Sequence, residues 1–443
     1  MKKIIIIGAA GRDFHNFNTY YRGNPAYDVV AFTAAQIPDI AGRCYPPELA
    51  GANYPNGIPI YPQEELESLI KEHSVDECVF SYSDVNYEFV MGIGAIVNAA
   101  GAAFTLLSPR QTMIKSKKPV IAVGAIRTGC GKSQTTTKIV ELLKKRGLNV
   151  IAVRHPMPYG DLNAQKVQRF ATLDDLKKHN CTIEEMEEYE PHIINNSVIY
   201  AGVDYAEILK QVESDPAGCD VILWDGGNND FSFYEPDLMI TVVDPHRPGH
   251  ELTYYPGEVT LRIADVAVIN KIDSAPPAGI EAVKANIAKL NPTAAVISAD
   301  SEIHVTSPET IKGKRVLVIE DGPTLTHGDM KIGAGVVAAE RFGAAEIVDP
   351  RPYAVGSLAK TYESYPHLGA VLPAMGYGDQ QIQDLAQTIE NTPCDSVIVA
   401  TPIDLGRLID ISKPNTRVSY TLAEIGSPCL DEILDTFLKG QNL

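Results

Sequence analysis

Short apolar runs recur along the chain, each closed by a glycine-rich or polar turn and followed by a segment with helical spacing. Residues 3–7 are such a run, ahead of Gly8-Ala9-Ala10-Gly11 and a helix. Residues 29–33 and 77–81 read as further strands, and 64–72 and 89–99 as helices. This alternation predicts a parallel sheet with crossover helices. It breaks at Pro109–Lys118, where Lys115-Ser116-Lys117-Lys118-Pro119 reads as a linker. Residues 119–124 restart the pattern with a strand, and a helix over 132–146 ends in a basic turn and Gly147. Strands follow at 148–153, 220–224, 238–243, 264–269, 315–319 and 396–400. The acidic stretch 174–190 reads as a solvated helical face. The expected architecture is α/β. A Rossmann-like unit (1–115) precedes a P-loop NTPase parallel sheet (116–300) and a C-terminal α/β extension (301–443), which either extends that sheet or stands alone.

The turn after 119–124 carries the strongest chemistry. Gly129-Cys130-Gly131-Lys132-Ser133 joins a buried strand to a helix start. Backbone N–H groups there cradle phosphate oxygens, Lys132 reaches the β and γ phosphates, and the Ser133 hydroxyl holds Mg²⁺. The first glycine of the general pattern is replaced by Ile126, and Arg127 marks the variant basic-x-Gly-x-Gly-Lys-Ser loop. Arg127, Lys132 and Asp225 are the catalytic candidates. Gln134 joins the loop as a nucleotide contact. Asp225, at the tip of the strand 220–224, is the second metal candidate with Ser133. Asn270-Lys271-Ile272-Asp273 follows the strand 264–269 and has the pattern that reads guanine, with Asp273 on the base and the Lys271 stem packed against it. It points to GTP.

Basic residues also gather at strand ends. Arg154 and His155 close one strand, and His246 and Arg247 follow another. The carboxyl ends of parallel strands share an edge, so the four suit a second, anionic substrate. Glu320–Gly328 packs carboxylates, hydroxyls and His327 into a strand-end loop that either positions a substrate or is only a turn; Thr326 and His327 are its substrate candidates. Asp404-Leu405-Gly406-Arg407 presents Arg407 in a similar place. At the N-terminus the second strand ends without the acidic residue that holds a ribose, so no NAD is expected there. Arg12 and His15 beside that turn either meet an anion or simply pack.

The bulk numbers narrow the class. The chain has 443 residues and a formal net charge of −18, which disfavours nucleic-acid binding. Its seven cysteines show no CxxC pair, as expected in a reducing cytoplasm. No apolar run reaches membrane-spanning length, and the start is too short for a signal core.

Taken together, the loop 127–133, Arg154–Asp161, Asp225–Asp230 and Glu320–Gly328 resemble the cyclic 2,3-diphosphoglycerate synthetase family over nearly the whole chain. The resemblance implies that ATP and Mg²⁺ drive closure of 2,3-diphosphoglycerate into an intramolecular pyrophosphate, with ADP and phosphate released. In that scheme Arg154, His155, His246 and Arg247 screen the substrate phosphates, and Asp161 and Asp230 stand behind the metal. The Asn-Lys-x-Asp element strains this match, because it favours GTP. The competing expectation is a GTPase switch serving metalloenzyme maturation, although the Cys/His cluster such proteins carry is missing. A homodimer is expected by analogy with other variant-loop proteins.

Overall fold

The computed structural model describes the chain except residues 10, 36–39, 41, 158–159, 228–229, 327–329 and 376–378, and the side chains of residues 323 and 379. Two sheets organise it. The first has six strands in the order Cys44–Tyr45, Ile58–Pro62, Tyr27–Ala34, Lys2–Ile7, Glu77–Phe80 and Ala103–Thr105. All its pairings are parallel except that of the short edge strand Cys44–Tyr45. Ile4 to Ile7 are buried to the last atom, with alternate side chains feeding the apolar layers on the two faces.

The second sheet has thirteen strands. Its P-loop half runs Gln168–Phe170, Val198–Ala201, Val150–Arg154, Val221–Gly226, Val120–Ala125, Leu238–Val243, Val266–Ile269 and Ala295–Val305. From Val198–Ala201 to Ala295–Val305 every pairing is parallel, and the central strands are buried on both faces. These near-continuous β-branched runs are the signature of a sheet covered on both sides.

Two eleven-residue strands carry the sheet onward. Ala295–Val305 uses Ala295–Ser298 to pair with Val266–Ile269, then continues past that strand's end. Over Ser298–Val305 it pairs antiparallel with Asn415–Ile425. The far end of Asn415–Ile425 pairs in parallel with Ser396–Ala400, which pairs in parallel with Arg315–Asp321. The C-terminal strands therefore lie beyond the carboxyl edge of the P-loop strands and run back towards it. Hydrogen bonds make the region after 300 an extension of the P-loop sheet, with apolar layers of its own on each face. Two carboxyl edges thus face one another.

Candidate active site

The cavity between those edges is the candidate site. One wall is the P-loop with Arg154, His246 and Lys271; the other is Glu320, Asp321, Thr324 and the turn before the helix Ala334–Arg341. The helix Ile183–Ile194 adds Glu187 and Glu188.

The P-loop takes its shape from glycine. Gly129 and Gly131 have φ of +80° and +109°, a region that side chains disfavour. A Cβ on Gly131 would also strike the Asn270 amide and lie 2.5 Å from Gln134 Nε2. The loop then enters the helix Lys132–Lys145, whose first N–H groups open onto the cavity.

Asp225 is the hub of the cationic wall. Its Oδ1 accepts from Lys132 Nζ at 2.9 Å, and its Oδ2 from Arg154 Nη1 at 3.1 Å and His192 Nε2 at 2.8 Å. Its backbone carbonyl accepts from the same lysine and arginine. Burial pushes the Asp225 carboxyl up, but Lys132, Arg154 and His192 outweigh it and hold it far below the usual carboxylate range. Burial and the Arg154 charge lower Lys132. His192 was not among the sequence candidates; its place on an acidic helix gave no sign of this contact.

Ser133 is exposed to the cavity at the start of the P-loop helix, so it fits a Mg²⁺ arriving with nucleotide phosphates. Asp225 fits less directly, because both oxygens already hold donors. No group of three or more His, Cys, Asp or Glu side chains in metal-holding geometry exists among the described residues. Asp161 lies in an exposed turn, where its Oδ1 accepts the Asn163 N–H at 2.9 Å.

The Asn-Lys-x-Asp element braces the loop. Asn270 Nδ2 donates to Cys130 O at 2.9 Å, and Lys271 Nζ donates to Gly129 O at 2.5 Å and Asp244 Oδ2 at 3.0 Å. Asp273 lines the cavity, but Arg341 holds one oxygen at 2.9 Å and the Ser301 N–H reaches the other at 3.4 Å.

The proposed anion screen divides. Arg154 and His246 line the cavity. Arg154 also pairs with Glu188. Arg247 braces the loop from behind, donating to Cys130 Sγ at 3.3 Å and Asp244 Oδ2 at 3.0 Å. Arg127 lines the cavity too, yet its guanidinium pairs with Asp84 from the first unit and lies 3.8 Å over the Tyr254 ring. His155 turns away towards the first unit, among Trp224, Tyr205 and Phe233, and burial keeps it neutral. Thr326 is buried, with its hydroxyl on Gly322 O at 2.9 Å, and His327 lies outside the described residues. Arg407 pairs with Glu190 at 2.9 Å.

Near the N-terminal glycine turn, Arg12 does meet an anion, but one from the protein: Asp230 Oδ1 lies 3.0 Å from Nη1. His15 stacks on Phe233 at 3.9 Å and bonds to Thr112 O at 2.8 Å.

The acidic helix is the main correction. Glu184, Glu185, Glu187 and Glu190 are buried, not solvated. Glu185 caps its own helix and accepts the Met157 N–H at 2.8 Å. Glu187 meets Asp321 across the cavity, and burial and the neighbouring carboxylates push it well above its ordinary value. Burial also raises Glu320 to about 7 and Asp321 to about 6, against the N–H and hydroxyl bonds they accept. The second wall is therefore acidic, where the sequence led us to expect a rim for anions.

No family model matches the chain. It is 61% identical over 439 residues to arginine synthetase ArcE of Thermococcus kodakarensis, covering 99% of this chain and 97% of that one. The chain belongs to that arginine synthetase family. Among solved structures, LpxK from Aquifex aeolicus in complex with ATP aligns over 85% of this chain and 99% of its own, at 12% identity and a TM-score of 0.44. The hydrogenase maturation factor HypB from Archaeoglobus fulgidus aligns over 41% of this chain and 81% of its own, at 18% identity and a TM-score of 0.28. Family membership supports a synthetase. It does not carry the assignment to cyclic 2,3-diphosphoglycerate.

Proposed function

We propose that the protein is an ATP-dependent synthetase that builds the guanidinium group of arginine. The observation that carries this reading is the pair of opposed walls: a phosphate cradle with Lys132 and Arg154 on one side, and Glu187, Glu188, Glu320 and Asp321 on the other. The arginine specificity comes from the name of the relative. The carboxylates suit a substrate that is neutral or zwitterionic at first and cationic as product.

A guanidinium is reached from a ureido group in two steps. The ureido oxygen of citrulline, which has the carbon chain of arginine, attacks the γ-phosphorus and ADP leaves. A nitrogen nucleophile then adds to the activated carbon, the C–O bond breaks, and phosphate departs. Lys132 and the P-loop N–H groups neutralise the transferring phosphoryl group, whose transition state gains from positioning and charge rather than covalent help. Arg154 fixes Asp225 and Glu188 and brings positive charge to the same side. Mg²⁺ would bind the nucleotide phosphates beside Ser133, with Asp225 Oδ1 available once Lys132 moves to a phosphate; it supplies further neutralisation. Glu320, pinned by the Gly333 and Val336 N–H groups at 3.2 and 2.9 Å, faces the cation that forms.

The cyclic 2,3-diphosphoglycerate reading is the second one, favoured by the cations Lys132 and Arg154. Against it, the second wall is acidic where a polyanion would have to sit. One assay separates the two. Protein is incubated with ATP or GTP and Mg²⁺, with citrulline plus ammonium chloride or aspartate in one arm and 2,3-diphosphoglycerate in another. Products are followed by amino-acid analysis and phosphorus NMR. The expected result is arginine or an N-substituted arginine, with equal amounts of nucleoside diphosphate and phosphate. A cyclic pyrophosphate signal would establish the second reading, and hydrolysis indifferent to every acceptor would sink both.

A further inference from the structure

The four carboxylates do not play one part. Glu320 is tied to a helix N-terminus and Glu188 to Arg154. Among the described residues no cation pairs with Glu187 or Asp321. They come from different elements, the helix Ile183–Ile194 and the end of the strand Arg315–Asp321, and meet within hydrogen-bonding reach. Glu187 is only 4% exposed, lines the cavity, and its Oε1 has no hydrogen-bond partner among the described residues. A buried carboxyl oxygen left without a donor is destabilising. A donor on a ligand removes that cost.

Resting on the arginine-forming reading, we infer that Glu187 and Asp321 form the acid–base centre that receives the nitrogen nucleophile and takes its proton. Two adjacent carboxyls share a proton because both cannot ionise cheaply. At rest Glu187 holds it and donates to Asp321, whose other donor is the Thr324 hydroxyl. Glu187 Oε1 is then a neutral acceptor turned into the cavity, and the Asp321 carboxylate is the base. An ammonium ion gives one proton to Asp321 and becomes ammonia. Its lone pair forms the new C–N bond, the C–O bond to the phosphoryl oxygen breaks, and hydrogen phosphate leaves with a proton from the attacking nitrogen. The proton on Asp321 passes to solvent when arginine departs. The groups facing the pair are Glu184 and Glu188 on its helix, Glu320 on its strand, and Tyr420 from Asn415–Ile425. Arg154 and Lys132 are linked to it through Glu188. Burial, helped by the Glu188 charge, keeps Asp321 basic enough to serve near neutral pH; its carboxyl stands at about 6.

The test compares Glu187→Gln and Asp321→Asn with wild type, using ammonium chloride and hydroxylamine as nucleophiles at one pH near neutrality, citrulline and ATP being saturating. Hydroxylamine arrives without the proton that ammonium must lose. With ammonium, Asp321→Asn should lower kcat about 100-fold, within the range general-base catalysis supplies. With hydroxylamine the loss should shrink below about tenfold. Glu187→Gln keeps an amide donor towards Asp321, so it should weaken nucleophile KM more than kcat. ATP affinity, measured by calorimetry, should stay within about twofold for both, which also shows that the variants fold. Equal losses with both nucleophiles in both variants would overturn the acid–base role while leaving the arginine reading intact. Failure of wild type to form a guanidino product from either nucleophile would overturn both.

Discussion

At the scale of single residues, Asp225 ties the cationic wall of the site together. Its carboxylate is fully buried and holds Lys132, Arg154 and His192 together. Its folded-state carboxyl lies far below the ordinary value. The sign follows: the stabilisation is present above the unfolded value near 4 and is lost as pH falls towards the folded one. Asp225→Asn should therefore melt well below wild type at pH 7–8, with the gap closing progressively below about pH 5. Thermal melts from pH 3 to 8 read this directly, and a gap independent of pH would refute it. Gly131 is a second decisive residue. Gly131→Ala forces a side chain into φ +109° and against Asn270. Strain of this kind costs about 1–3 kcal/mol. Here it also disturbs the cradle, so ATP affinity should fall more than tenfold, as calorimetry would show.

Elements explain why the site is acidic on one side. The helix Ile183–Ile194 looks outward in the sequence, because half its residues are charged or polar and a proline sits near its end. Four of its five glutamates instead each meet a distinct partner: the Met157 N–H, Asp321, Arg154 and Arg407. Those partners lie 28 to 217 residues away, so local spacing had no access to them. What spacing could see was the P-loop, because Gly129–Ser133 reports a backbone shape that few other sequences specify. Spacing also placed Asp225 and Asn270 at strand ends, but it offered Asn270 as a nucleotide contact, whereas its amide braces the loop through Cys130 O. The meeting of two carboxyl edges was not legible, since it depends on the register of Ala295–Val305 with Asn415–Ile425. That juxtaposition carries a stability cost. Burial raises Glu320 to about 7, so the folded state favours its neutral form. A raised carboxyl contributes most below the unfolded value near 4, and the contribution fades as pH rises through about 7. Glu320→Gln keeps an acceptor for Gly333 and Val336 while removing the charge. It should raise Tm at pH 8, leave it nearly unchanged at pH 5, and weaken the KM for the amino-acid substrate. A variant that melts lower at pH 8 would contradict this account, which treats the carboxylate as stability given up for function.

At the scale of the whole molecule, the first sheet is a scaffold locked onto the back of the site. Among the described residues two buried ion pairs cross the junction, Arg127–Asp84 and Arg12–Asp230, each with side chains at most 8% exposed, and a more exposed one, Arg22–Asp204, stands beside them. A two-stranded pairing of Val85–Asn86 with Tyr254–Tyr255 joins them. Asp230 follows Asp225 by five residues, so Arg12 seats the chain close behind the strand that carries the hub. Arg12 donates to Ser81 O and Tyr82 O as well, and its guanidinium lies 4.9 Å from the Phe231 ring centre and 5.0 Å from that of Tyr255. Removing it strands a buried carboxyl, which costs about 3–5 kcal/mol when the partner stays charged. Asp230 has an exit, because burial already lifts it to about 7 even with the guanidinium opposing. Arg12→Met should therefore cost less at pH 6, where Asp230 protonates, than at pH 8.5, where it cannot without a large penalty. The double variant Arg12→Met, Asp230→Leu should recover most of the pH-8.5 loss, since no charge is left unpaired. Urea unfolding at the two pH values measures each arm. Turnover in Arg12→Met should fall together with stability, because a loosened Asp230 lets the end of the Asp225 strand drift from Lys132. A variant with unchanged kcat and a pH-independent stability loss would mean that the first sheet merely adheres to the P-loop half without helping to shape its site.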